Sequence, residues 1–136
     1  MAVVFGLIRV SNAISRDLDV HVGRPAGIST AGFNLLFALY VWGAQIPRRL
    51  AGLASVSPPS MSSLVNTLER AGLVRRSPSS EDRRSVLVEL TKTGRSLCED
   101  LIPKTHARAV GWSDRLDGEE RRVLAALLGK LLSDRP

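Results

Sequence analysis

Apolar positions recur along this chain at spacings of three and four, and one stretch alternates instead. Val3, Leu7, Val10, Ile14 and Leu18 form a heptad-like stripe, which predicts a first helix over residues 2–21. Residues 22–27 carry two glycines and a proline and predict a loop. Ser29 stands where an N-cap belongs, ahead of a second helix reaching Trp42. Its stripe is Phe33, Leu36, Phe37 and Tyr40, and Gly43 closes it. Pro47 suits the first turn of a short third helix, 47–54, with Leu50 and Leu53 inward. Ser57 caps a fourth helix and Pro58 occupies its first position. Met61, Leu64, Val65 and Leu68 form the buried face of that helix. Gly72 then provides a left-handed stop, and Leu73 its hydrophobic contact.

Beyond Gly72 the period changes to two. Residues 74–77 and 86–90 predict two strands, with Val86, Val88 and Leu90 alternating with Leu87 and Glu89. The polar connection between them, residues 78–85, predicts an exposed tip. Thr91 caps a long fifth helix over 92–113, which Pro103 should kink or break. Asp117 with Glu120 three residues later makes a capping box for a last helix, 118–134. Leu124, Leu127, Leu128, Leu131 and Leu132 make that helix broadly apolar on one side.

Helix, sharp stop, strand, charged tip, strand, helix is the order of a winged helix. The fold class expected is mainly α with a small β-ribbon wing. Residues 28–91 form the winged helix-turn-helix core of a single domain, 1–136. Residues 1–27 and 92–136 supply helices with more apolar surface than so small a core can cover. Packing against a second copy about a two-fold axis is the simplest closed solution, so a homodimer is expected.

Charge sharpens this picture. Lysine and arginine outnumber aspartate and glutamate 19 to 13 over 136 residues. Residues 45–91 hold seven basic and four acidic side chains, half of the net +6. A basic excess favours a polyanionic partner without naming it. At 44% apolar residues the chain can bury a core, which argues against disorder. The apolar N-terminus is interrupted by Ser11, Asn12 and Arg16 and lacks a basic leader, so no signal peptide is expected. No apolar run reaches membrane-spanning length, and a cytoplasmic protein is expected.

Other chemistries find little support. Cys98 is the single cysteine, so no disulfide framework exists within the chain and a small buried apolar role is expected. His21 and His106 are the only histidines and have no ligand-like spacing, so no metal site is expected. No cofactor motif or nucleophile elbow occurs, and no enzyme activity is expected.

The ordered set Gly72-Leu73-Val74 with Arg76, Asp82-Arg83-Arg84, and Leu90-Thr91 with Gly94-Arg95 carries a specific likeness. Ile28-Ser29, Leu50-Ala51, Leu64-Val65 and Leu68-Glu69 extend it over nearly the whole chain. The pattern resembles the MarR family of bacterial transcription regulators. The resemblance implies a homodimer on double-stranded DNA at a pseudo-palindromic operator. Many members are repressors of nearby genes, released by small phenolic or lipophilic ligands, by metal or by oxidation.

A recognition helix needs small, hydrogen-bonding side chains on its leading face to enter a groove roughly 12 Å wide. Ser60, Ser62, Ser63, Asn66 and Thr67 provide that face, and Asn66 is suited to an adenine edge. The resemblance makes Arg84 the residue inserted into the minor groove, with Asp82 holding its geometry; Arg83 meets phosphate. Arg48, Arg49, Arg75 and Arg76 are further phosphate candidates. In similar proteins a ligand cleft lies between the dimer helices and the winged helix, and Arg9, Arg16, His21, Tyr40 and Trp42 are its expected lining here. The competing reading keeps the winged helix as a protein-interaction module with no specific DNA site.

Overall fold

The computed structural model describes residues 1–81 and 84–133. Helix α1 spans Ala2–Leu18, followed by a π-helical turn, Asp19–Gly23, and the short α2, Arg24–Ala26. Then come α3 (Thr30–Trp42), α4 (Pro47–Ala54), α5 (Pro58–Arg70), strands β1 (Val74–Pro78) and β2 (Val86–Leu90), α6 (Lys92–Ser113) and α7 (Gly118–Ser133).

The loop expected over residues 22–27 is helical instead. Arg24 Nε donates to the Asp19 carboxylate at 2.8 Å, and Pro25 fits the first turn of α2. The break falls at Gly27, whose φ of 70° is left-handed. Gly23, read as punctuation, is a packing residue: a Cβ there would stand 2.7 Å from the Ile28 carbonyl oxygen.

Helix α3 is the centre of the core. Ser29 Oγ accepts from the Gly32 amide at 3.0 Å, as an N-cap should. The stripe expected on it is partly misplaced. Leu35, Leu36 and Leu39 are fully buried, whereas Phe37 is 42% exposed. The reason is that α3 contacts α4, α5, α6 and β2, so it buries more than one face. Leu50 of α4, Val65 of α5, Val74 of β1, Val88 of β2 and Leu101 of α6 complete this core.

Helix α4 ends on Ser55, held at φ 54° without a glycine, and the chain turns into α5. Ser57 occupies the N-cap position of α5 but makes no side-chain bond to the backbone; its hydroxyl donates to Ser60 Oγ at 2.9 Å. At the other end the Gly72 amide donates to the Glu69 carbonyl at 2.9 Å and the Leu73 amide to Leu68 at 3.0 Å. These are the paired bonds of a Schellman stop, with Gly72 at φ 74°.

The strands pair antiparallel in the register Val74 with Leu90, Arg76 with Val88 and Pro78 with Val86. Gln45 adds a third rung that its neighbours do not signal: its amide and carbonyl both bond Val88, at 3.0 and 2.8 Å. Thr91 then joins three elements. Its hydroxyl donates to the Gly72 carbonyl at 2.6 Å and accepts from the Gly94 amide at 3.0 Å, while its own amide donates to Leu73 at 3.1 Å. The start of α6 lies so close to this turn that a Cβ on Gly94 would fall 2.0 Å from the Leu73 carbonyl oxygen.

Pro103 does not break α6, which runs unbroken through it; Cys98 and Leu101 anchor the preceding turn in the core. The capping box at α7 forms as expected. The Asp117 amide donates to Glu120 and the Glu120 amide to Asp117, each at 2.9 Å.

Candidate nucleic-acid interface

The outward face of α5 is built by its inward one. Met61, Val65 and Leu68 are buried at spacings of three and four, which turns Ser60, Ser62, Ser63, Asn66 and Thr67 to solvent. All five are exposed on one helix, as expected. Their hydrogen-bonding capacity differs. The Thr67 hydroxyl donates back to the Ser63 carbonyl at 3.0 Å, so its proton is committed within the helix. Ser60 accepts from Ser57 and keeps its own proton to donate.

Beside α5 stands the ribbon. Arg84 is exposed in the turn that leads into β2. Asp82 and Arg83, the other two tip residues expected to contact DNA, lie outside the described residues. Arg75 pairs with Glu89 across the ribbon, Nε to Oε1 2.6 Å. Arg76 donates to Glu69 Oε1 at 2.7 Å and to Asn66 Oδ1 at 2.8 Å, so it faces α5. Both are engaged with carboxylates rather than standing free for phosphate. Arg48 and Arg49 are exposed on the first turn of α4 and form no ion pair among the described residues.

The expected ligand lining is divided. Arg9, Arg16 and His21 share a shallow groove with Asp17 and Trp112, between α1 and α6. Tyr40 lies elsewhere, with the Arg95 guanidinium 5.2 Å above its ring. Trp42 is 58% exposed at the end of α3 and does not reach the groove. Sequence reasoning missed the better-formed cavity, about 390 Å³, walled by Leu18, Val22, Phe33, Phe37, Leu101 and Thr105. Phe33 and Phe37 line it with ring centroids 6.1 Å apart, and the buried Thr105 hydroxyl has no hydrogen-bond partner among the described residues. Phe33 and Phe37 both belong to the apolar stripe expected on α3, and nothing in that period marks them as the wall of a cavity.

Asp17 ties α1 to α6. Its carboxylate accepts from Arg108 through two nitrogens, Nε at 2.9 Å, and from Trp112 Nε1 at 3.1 Å. The hydrogen bonds from Arg108, against some desolvation, hold its pKa down at about 2, and the Arg108 pKa rises in turn. Cys98 is fully buried, and that burial pushes its thiol up to about 11. A group so placed is a poor nucleophile at neutral pH.

A helix with a small polar leading face, set against a preceding helix and a basic ribbon, defines a winged helix-turn-helix DNA-binding protein. Comparison with known proteins agrees. The MarR family pattern matches residues 28–86. The HTH-type transcriptional repressor Mb2911 of Mycobacterium bovis is 33% identical over 94% of this chain and 91% of its own. BpsR of Bordetella bronchiseptica, whose DNA binding is regulated by 6-hydroxynicotinic acid, superposes with a TM-score of 0.88 at 25% identity, covering 98% of this chain and all of BpsR. A mutant MarR of E. coli bound to operator DNA superposes with a TM-score of 0.78 at 26% identity, over 95% of each chain. The chain belongs to the MarR family of transcriptional regulators.

Proposed function

We propose that the protein acts in the cytoplasm as a homodimeric repressor on a pseudo-palindromic operator. Two α5 helices enter successive major grooves, about one helical turn apart, and the two wings reach the flanking minor grooves. Residues 28–91 do the reading; residues 1–27 and 92–136 hold the two copies together. The observation that carries this is the single exposed face of Ser60, Ser62, Ser63, Asn66 and Thr67, set beside the β1–β2 ribbon. The side chains are short, donate or accept hydrogen bonds, and leave room for a base edge. No helix of the described residues is long and apolar enough to cross a membrane.

Release by a small molecule belongs to the same reading. The cavity between α1, α3 and α6 is mostly apolar; its few polar groups are Thr30, Asn34, His106 and the buried Thr105 hydroxyl, which has no partner among the described residues. Such a chamber suits an aromatic or lipophilic ligand with one polar group. A ligand there changes operator affinity only through unequal affinity for the bound and released arrangements.

The test is selection on random duplex DNA by the purified protein, followed by titration at several salt concentrations. The expected result is an inverted repeat with A·T-rich flanks. Neutralising roughly 6–10 phosphates gives a log K against log salt slope near −5 to −9. Failure to enrich any sequence, with a flat salt response, would turn the search to protein partners.

A further inference from the structure

We infer that Arg76 fixes the Asn66 amide so that α5 reads an acceptor-bearing base edge, guanine ahead of adenine. This rests on the operator reading above and adds to it the base that one side chain selects. It replaces the sequence-based expectation of an adenine contact, and it moves Arg76 from phosphate contact to positioning.

The arrangement begins at Glu69. Its carboxylate holds Arg76 from two directions, accepting from Nη1 at 2.7 Å and from the Arg76 backbone amide at 3.2 Å. The root of Arg76 is fixed as well, because it pairs in register with the fully buried Val88. The guanidinium thus held gives its Nη2 to Asn66 Oδ1 at 2.8 Å. A guanidinium has donors and no acceptor, so chemistry determines which way the amide faces. The oxygen turns to Arg76, and the NH₂ group turns away from it.

That assignment sets what Asn66 can read. Bidentate recognition of adenine asks one amide to accept from N6 and donate to N7. Here the oxygen already carries a charge-assisted bond. Arg76 Nη2 takes up one of that oxygen's two lone pairs, so an adenine amino group would have to share it with a cation. Guanine presents N7 and O6, both acceptors, to the same edge of the major groove. The Asn66 NH₂ group, turned away by Arg76, presents donors only and matches it. Glu69 neutralises Arg76, so the pair contributes selectivity more than general attraction to phosphate.

The test repeats the selection with the full chain and four variants: Asn66→Ala, Arg76→Met, Asn66→Ala with Arg76→Met, and Glu69→Gln with Arg76→Met. The last removes the carboxylate that Arg76→Met leaves unpaired, and thermal melting by circular dichroism checks that each folds. The base pair whose preference disappears in Asn66→Ala is the one Asn66 reads. Guanine should be favoured there over adenine by roughly tenfold in the wild type. Arg76→Met, alone or with Glu69→Gln, should reduce that to within about threefold and leave the other positions unchanged. In an Asn66→Ala background Arg76→Met should change no base preference further. Adenine at that pair overturns the inference while the operator reading stands. So does an Arg76→Met protein that weakens all sequences uniformly. No enriched sequence for the wild type removes both.

Discussion

Leu39 and Leu131 are the same side chain on two helices and have opposite surroundings. Leu39 on α3 is 1% exposed, enclosed by α4, α5, α6 and the ribbon; Leu131 on α7 is 57% exposed. Helix α3 holds five buried residues and α7 none. The N-terminal part of α1 resembles α7: Val3, Val4, Phe5 and Ile8 are all at least half exposed. One copy of the chain therefore completes its reading head and leaves its ends unfinished. The difference locates two kinds of stability, one belonging to the fold and one to association.

Placing charge on the unfinished end should have the largest effect. Leu127→Glu with Leu131→Glu should abolish the dimer in sedimentation and remove operator binding at concentrations that saturate the wild type. A variant that stays dimeric would show that α7 is covered by something other than a second copy. Within the head, Leu39→Ala should lower unfolding stability by about 2–5 kcal/mol, measured in urea. A loss under about 1 kcal/mol would mean the core around α3 collapses onto the gap. At the interface, Arg84→Ala should weaken operator binding by about 1–3 kcal/mol at fixed salt while the dimer persists. Unchanged affinity would remove Arg84 from the contact.

The smallest effect concerns the junction of the two regions. Asp17 titrates at about 2 when folded, below its ordinary 3.8. A depressed carboxylate contributes stability above the unfolded value, which is lost as pH falls through the folded one. Asp17→Asn should thus flatten the acid limb between about pH 4 and pH 2, with little change in slope at pH 7. An unaltered acid limb would mean that the α1–α6 tie does not hold in solution.

Much of this was readable in the sequence because its signals are local. Ser29, Thr91 and the Asp117–Glu120 pair cap their helices from adjacent residues, and Gly72 stops α5 with bonds spanning one turn. The exposed face of α5 followed from its own period. What escaped depends on partners distant in sequence. Gln45 joins the ribbon only because Val88 lies beside it. The cavity around Phe37 requires α1, α3 and α6 together. Arg76 looks like any surface arginine until β1 is laid against α5. Residues 22–27 were misread for the opposite reason: glycine and proline predicted a break, while the Asp19–Arg24 pair and close packing at Gly23 favoured continuation.

The joint at Thr91 has a mechanical meaning. Hydroxyl, amide and the missing Cβ of Gly94 fasten the exit of α5, the root of the ribbon and the first turn of α6 at one point. There is no slack loop at which head and arm can move separately. A helix of 22 residues is roughly 33 Å long, so tilting α6 by about 5° about its far end displaces that joint by about 3 Å. The whole head is carried with it, like the blade of an oar, and two such arms convert a slight scissoring between copies into a misfit of both heads with the pitch of the double helix.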